Sequence, residues 1–163
     1  MKEIPLSQGL VALVDDGDFE AVSAHKWSAA KKPHANYAVR SVRRTDGGWT
    51  PLYLHTFLTG YELVDHANGN GLDNRRSNLR SATEAENRQN MRRARNNTSG
   101  FKGVTWNGRR QKWMAQIQSQ GHNRYLGLFT TPEEAAHAYD DAARALFGEF
   151  AAVNFPLAEE RAA

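Results

Sequence analysis

The sequence predicts an α+β protein of two modules: a β-rich N-terminal part, then a three-stranded antiparallel sheet packed on one helix. Three observations carry that expectation. Lys112 to Ser119 alternates strictly, with Trp113, Ala115 and Ile117 on one face and Lys112, Met114, Gln116 and Gln118 on the other, the period of a strand with one buried side. Thr131, Pro132 and Glu134 open a segment that Gly148 closes, and its apolar residues follow three-four spacing, the pattern of a capped amphipathic helix. The polar stretch Arg95 to Gly100 has no apolar anchor and reads as a linker.

Taken in order, the apolar run Leu10 to Val14 ends in Asp15, Asp16, Gly17 and Asp18, and a hairpin is expected to follow it. Ala35 to Val42 and Trp49 to Leu54 read as strands joined by the turn residues Thr45, Asp46, Gly47 and Gly48. His25, His34, Trp27 and Trp49 are read as core or surface residues without chemistry. Leu63 and Val64 form a strand end that runs into Asp65 and His66. The loop Ala67 to Ser77 is rich in Asn, Asp and Gly, which favour tight turns, and Asn78 and Leu79 begin a second short strand.

Thr83 and Glu86 make a Thr-x-x-Glu capping box, so a helix is expected from there to Arg93 or Arg95, with Asn87 in its first turn. Phe101 to Trp106 and Arg124 to Phe129 read as partner strands of Lys112 to Ser119, with Gln120, Gly121 and His122 as a turn. In the last helix Ala135, Ala138, Tyr139, Ala142 and Leu146 form the apolar stripe, with Ala136, Ala143 and Phe147 beside it. Trp113 is read as core; Trp106 either stacks on a sugar or caps the sheet edge.

The chain has 163 residues and no cysteine, which excludes disulfide scaffolds, thiolate zinc sites and cysteine nucleophiles. No apolar run approaches the roughly 20 residues of a membrane span, and the N-terminus lacks the apolar core of a secretory signal. A soluble, cytoplasmic protein is expected, in a phage or bacterial host, with no membrane partner. The net charge is +3, but Arg75 to Lys112 holds nine Arg and two Lys against Glu84 and Glu86, a local +9 that leaves −6 on the remainder. A field segregated in this way suits a polyanion, because neutralising phosphates releases condensed counterions.

Asp65 and His66 at a strand end, a turn-rich loop, Asn78 and Asn87 at a helix start suggest a strand-loop-strand-helix metal site. Phosphodiester cleavage needs a base to activate water and a cation to stabilise charge at phosphorus and the leaving oxygen. His66 has the near-neutral pKa of a base, and Asp65 and Asn87 offer hard oxygens suited to a magnesium-like ion. The stretch VDHANGNGLDNRRSNLRSATEAENRQN, Val64 to Asn90, resembles the HNH homing endonucleases of ββα-metal fold in which asparagine replaces the last histidine. That resemblance implies Asp65 and Asn87 as ligands of one Mg2+ or Mn2+, His66 as general base, and Asn78 as the residue orienting the loop that bears His66. It also implies products with 5′-phosphate and 3′-hydroxyl ends, and no zinc cysteine site. Asn68, Asp73 and Asn74 are read as loop architecture, and His55 in YLHTFL as structural or phosphate-contacting.

From Ser99 to Pro156, SGFKGVTW, KWMAQIQ, RYLGLF and TPEEAAHAYDDAARALFGEFAAVNFP resemble the ethylene-response-factor (APETALA-type) DNA-binding domain. In that family the sheet lies in the major groove, which implies DNA contacts at Lys102, Thr105, Asn107, Gln116, Gln118, Asn123 and Tyr125. Several of these positions hold Arg, Glu or Trp in the plant regulators, so the plant target sequence does not transfer. Arg75, Arg76, Arg88, Arg92 and Arg93 are expected to follow the DNA backbone. The expected organisation is a nuclease domain at 1–95 with its motif at about 62–95, a linker at 96–98, the DNA-binding domain at 99–157 and a tail at 158–163. The function expected is a metal-dependent, homing-type endonuclease acting on double-stranded DNA, with no small-molecule substrate. The alternative is a non-enzymatic DNA-binding regulator whose nuclease half is inactive.

Overall fold

Among residues 1–33, 35–91 and 97–157, which this computed structural model describes, ten strands pair into four antiparallel sheets. The chain divides into two units, one over Met1–Asn87 and the other starting at Arg88. Both units mix strands and helices, as an α+β fold requires.

In the first unit β1 (Lys2–Pro5) pairs with β2 (Val11–Val14) around a reversal in which Gln8 and Gly9 take positive φ. The hairpin therefore precedes the apolar run and does not follow it. The acidic residues Asp15 to Asp18 lead instead into α1 (Phe19–Ser23), because carboxylates suit a helix N-terminus and Val22 has an apolar cluster to enter. That cluster comprises Ile4, Ala12, Val14, Val22, Trp27, Ala38 and Leu54.

Strands β3 (Ser28–Lys31), β4 (Asn36–Arg43) and β5 (Trp49–Tyr53) form the second sheet in the order β3-β4-β5. At Leu54, read as the end of a strand, the chain turns into α2 (Leu54–Thr59), which Gly60 closes in a left-handed conformation at φ 70. One face of β4 belongs to the core: Ala38 is buried, and the Arg40 guanidinium lies over the rings of Trp27 and Phe57 at 5.6 and 5.5 Å. Alternation places Tyr37, Val39, Ser41 and Arg43 on the other face.

A two-stranded ribbon, β6 (Val64–His66) and β7 (Leu79–Ser81), brackets the turn-rich loop. The loop is stitched to β2, where Leu13 N–H donates to Leu72 O and Asn74 N–H to Leu13 O, both at 2.8 Å. Helix α3 (Glu84–Gln89) opens with the expected box: Thr83 N–H donates to Glu86 Oε2 at 2.7 Å and Glu86 N–H to Thr83 Oγ1 at 3.3 Å. It ends at Gln89, short of Arg93 or Arg95, where Asn90 offers a side chain that competes for backbone hydrogen bonds. Arg92, Arg93 and Arg95 lie outside the described residues.

The second unit is the three-stranded sheet β8 (Val104–Asn107), β9 (Lys112–Ser119) and β10 (His122–Phe129), ordered β10-β9-β8, with α4 (Pro132–Phe147) against one face. Thr131 and Glu134 complete the capping box at 3.2 Å in each direction. The buried stripe of α4 runs through Ala135, Ala136, Tyr139, Ala143 and Phe147; Leu146, placed in it from the sequence, is 39% exposed, because the row of every fourth residue from Ala135 reaches 147 and not 146. Asn97 to Phe101, read as partly linker, is a hydrogen-bonded loop in which Asn97 Nδ2 donates to Phe101 O at 2.7 Å and Ser99 Oγ to Val104 O at 2.8 Å. The fully buried carboxylate of Asp140 accepts from the backbone N–H groups of Asn154 and Phe155, each at 2.7 Å. The Asn154 side chain in turn clasps the N–H and C=O of Lys102, at 2.7 and 3.1 Å. No helix among the described residues is long and apolar enough to cross a membrane.

Candidate functional site

Adjacent strand residues face opposite ways, and β6 uses this to separate two chemistries. Asp65, 6% exposed, sits opposite Arg80 in the ribbon, and its Oδ2 accepts from Arg80 Nε at 2.8 Å and Nη2 at 2.6 Å. His66, 5% exposed, enters an aromatic box: the His55 ring lies 5.1 Å away at 82°, and Tyr37 lies 5.8 Å away. His55 is stacked on Tyr53 at 5.3 Å and 9°, and Tyr37 meets it at 5.7 Å. Tyr37 and Tyr53 were not singled out by the sequence reading; the only local signal is that they share one face of the β4-β5 ladder.

Burial, with a smaller contribution from the charge of His66, pushes His55 down to about 4. Burial also lowers His66, against the opposing pull of the Asn74 amide and the carboxylates of Asp65 and Asp73. His66 is thereby held as a neutral imidazole at neutral pH. The Tyr37 hydroxyl is raised, first by burial and then by Asp65 and Tyr53.

Asn78, 3% exposed, closes the loop onto the residues that follow His66. Its Oδ1 accepts from Asn68 N–H at 2.9 Å, its Nδ2 donates to Asp73 O at 2.7 Å, and its backbone O accepts from Ala67 N–H at 2.9 Å. Gly71 lies so close to β4 that a Cβ there would stand 2.5 Å from Asn36 O and from Tyr37 Cε1. The loop thus packs on the strand that supplies the box. Asn87 is half-buried one turn into α3, the element that follows β7.

Two arginines expected on the DNA backbone are engaged within the unit. Arg75 Nε and Nη2 donate to Asp73 at 2.8 and 2.6 Å, and Arg76 grips Asp18 through two bonds of 2.8 Å. They brace the loop, a role that charge counting does not reveal. Arg88 is exposed on α3, and Arg92 and Arg93 fall outside the described residues. No cluster of three or more His, Cys, Asp or Glu able to hold a metal stands among the described residues.

In the second unit, register places Thr105, Asn107, Gln116, Gln118, Asn123 and Tyr125 together on the sheet face opposite α4. Gln118, Asn123 and Thr105 are exposed, Tyr125 is 61% exposed, and Gln116 and Asn107 are half-buried. Lys102 does not share that face. Its ammonium lies 5.9 Å from the Tyr139 ring, on the helix side, and burial lowers it to about 8. Trp106 pairs across the ladder with Trp113, rings 5.1 Å apart, so it covers the end of the helix-side face.

Two family models match separate stretches of the chain. A family model described as HNH endonuclease matches residues 60–89, and one described as AP2 domain matches residues 99–149. The chain is similar to a protein of Acanthamoeba polyphaga mimivirus named uncharacterized HNH endonuclease L560, 32% identical over 149 residues, covering 85% of this chain and 75% of that one. It is similar to Protein 3.8 of Escherichia phage T7, 36% identical over 92 residues, covering 56% of this chain and 74% of that one. It is also similar to dehydration-responsive element-binding protein 2A of Oryza sativa subsp. japonica, 46% identical over 65 residues, or 37% of this chain and 22% of the plant protein. The match therefore spans about a fifth of the plant regulator.

Proposed function

The chain belongs to the HNH endonuclease family and carries an AP2 domain after its nuclease motif, and on that footing we propose that it hydrolyses phosphodiester bonds of double-stranded DNA with the help of one divalent cation. The observation that carries the reading is the split at β6, with a buried carboxylate on one side and a buried neutral imidazole on the next residue. What supports a hard cation is donor chemistry alone: Asp65 and Asn87 offer the oxygen donors taken by an ion that keeps several waters. A magnesium or manganese ion held there would supply charge stabilisation at phosphorus and the leaving oxygen.

His66 takes the proton from the attacking water. Its lowered pKa keeps the ring unprotonated at neutral pH, so a base is available without prior deprotonation. Asn78 holds the loop that follows His66 and so fixes where the imidazole points. Arg80 already binds Asp65, so its guanidinium holds the carboxylate in place and adds positive charge beside it. Sequence choice belongs to the second unit, because contacts at the scissile phosphate position the duplex without reading it. Gln116 and Gln118 on the open sheet face have the amide groups that can pair with adenine edges in the major groove. A homing role is proposed on the family resemblance.

The test is cleavage of a random duplex library in magnesium by the parent and by His66→Ala. The variant should lose about 10²-fold or more in rate while DNA affinity holds. Undiminished cleavage would remove His66 from the mechanism; sequence-selective binding without cleavage by the parent would favour a regulator.

A further inference from the structure

The sheet face that presents Tyr37 and Tyr53 to the histidines continues beyond them. Along β4 it carries Val39, Ser41 and Arg43, and the register with β5 sets Pro51 beside Ser41 and Trp49 beside Arg43. Ser41 and Pro51 are exposed, and the strip ends at Trp49, 66% exposed, with the Arg43 guanidinium 5.8 Å from its ring. The apolar cluster of the unit takes Ala38 from the opposite face and does not include Trp49. The neighbouring acid, Asp46, is paired to Arg44 at 2.7 Å, which leaves Arg43 clear of it.

We infer that this strip is a second DNA contact of the nuclease unit: Arg43 binds a backbone phosphate and Trp49 lies against the adjoining sugar on one flank of the cut. A sheet strip that ends in a cation beside an exposed indole suits a backbone phosphate next to the apolar edge of its deoxyribose. The strip also bounds how far from the cut the contact falls. Tyr37 to Arg43 spans six strand residues, about 20 Å, and duplex DNA rises about 3.4 Å per base pair, so the contact lies within about six base pairs of the scissile phosphate. The inference rests on the cleavage reading above, since the flank is measured from His66.

The experiment takes a duplex recovered from a random library by the full chain and maps its cut in magnesium. Affinity is then measured in chelator on duplexes shortened from each side. The parent should lose about tenfold in affinity when one flank is trimmed to fewer than about six base pairs. The double variant Arg43→Ala/Trp49→Ala, altered only at exposed positions, should bind the long duplex as weakly as the parent binds the short one. Its salt slope should fall by about 0.9, the value for one phosphate contact, and its cleavage rate at saturating DNA should match the parent. Parent-like affinity and salt slope in the double variant would overturn the inference while leaving the cleavage reading intact. So would a parent dimer that the double substitution dissociates at unchanged DNA affinity, which would make the strip a self-association surface. A parent that neither cuts nor binds duplex DNA would overturn both.

Discussion

His55 and His66 meet ring edge to ring face, centroids 5.1 Å apart at 82°, with His55 itself laid flat on Tyr53. Burial lowers both imidazoles, and the charge of His66 adds to the effect on His55, so each resists protonation more than a free histidine does.

This has a stability consequence. His55 has a folded pKa of about 4 against an ordinary 6.5, so the unfolded chain binds the extra proton first. The contribution of His55 is complete above 6.5 and is lost as pH falls toward 4, by up to about 1.4 kcal/mol per pH unit, with His66 acting in the same direction. Urea titrations from pH 7.5 to 5 should show the decline, and His55→Phe, which keeps a ring on Tyr53, should make it shallower. An unchanged slope in the variant would acquit His55.

Arg80→Met leaves the Asp65 carboxylate, whose side chain is 7% exposed, without its guanidinium. Breaking a buried pair costs about 3–5 kcal/mol, and the 18% exposure of Arg80 puts this one toward the lower end. In chelator the Tm should drop; millimolar magnesium should restore part of it, because a cation on Asp65 replaces the lost charge. A Tm indifferent to magnesium in this variant would argue against Asp65 as a ligand.

Gly71→Ala places a methyl 2.5 Å from a backbone oxygen of β4 and from the Tyr37 ring. The backbone oxygen cannot yield cheaply, so the loop must retreat and Tyr37 must turn, at a cost of about 1–3 kcal/mol. Cleavage should fall much more than DNA affinity, since the substitution disturbs the box around His66 and not the second unit. Equal losses in both would place the effect in global unfolding.

Gln118 and Asn123 are ladder partners on the open face of the second unit, whereas Lys102 lies on the helix side. Gln118→Ala should flatten sequence preference by about 1–3 kcal/mol if it makes a bidentate base contact, with much of the affinity for scrambled duplex retained. Lys102→Ala should instead lower the Tm and leave preference unchanged. Binding titrations on selected and scrambled duplexes, paired with melting curves, separate the two.

What was legible in the sequence is what depends on neighbours along the chain. The alternation of Lys112 to Ser119 and the Thr83/Glu86 and Thr131/Glu134 boxes are local devices, and each stands where its spacing puts it. The hairpin beside Leu10 to Val14 was placed on the wrong side because an Asp-Gly-Asp run suits a turn and a helix start equally. Helix α2 was missed because six residues are too few to show a period. The aromatic box and the pairing of Arg76 with Asp18, 58 residues apart, arise only once the sheets are in register. Composition counts Arg76 as a free cation; the fold does not.

Asp140 gives the second unit a property unrelated to what it binds. By holding Asn154 and Phe155, and through Asn154 both backbone groups of Lys102, one carboxylate ties the segment that leads into the sheet to the segment that leaves the helix. A sheet-and-helix body closed in this way can be spliced into a host polypeptide, or lifted out of one, without stretching what flanks it. Such a cassette needs no redesign of its recipient, only a surface loop wide enough to admit two neighbouring strands of chain.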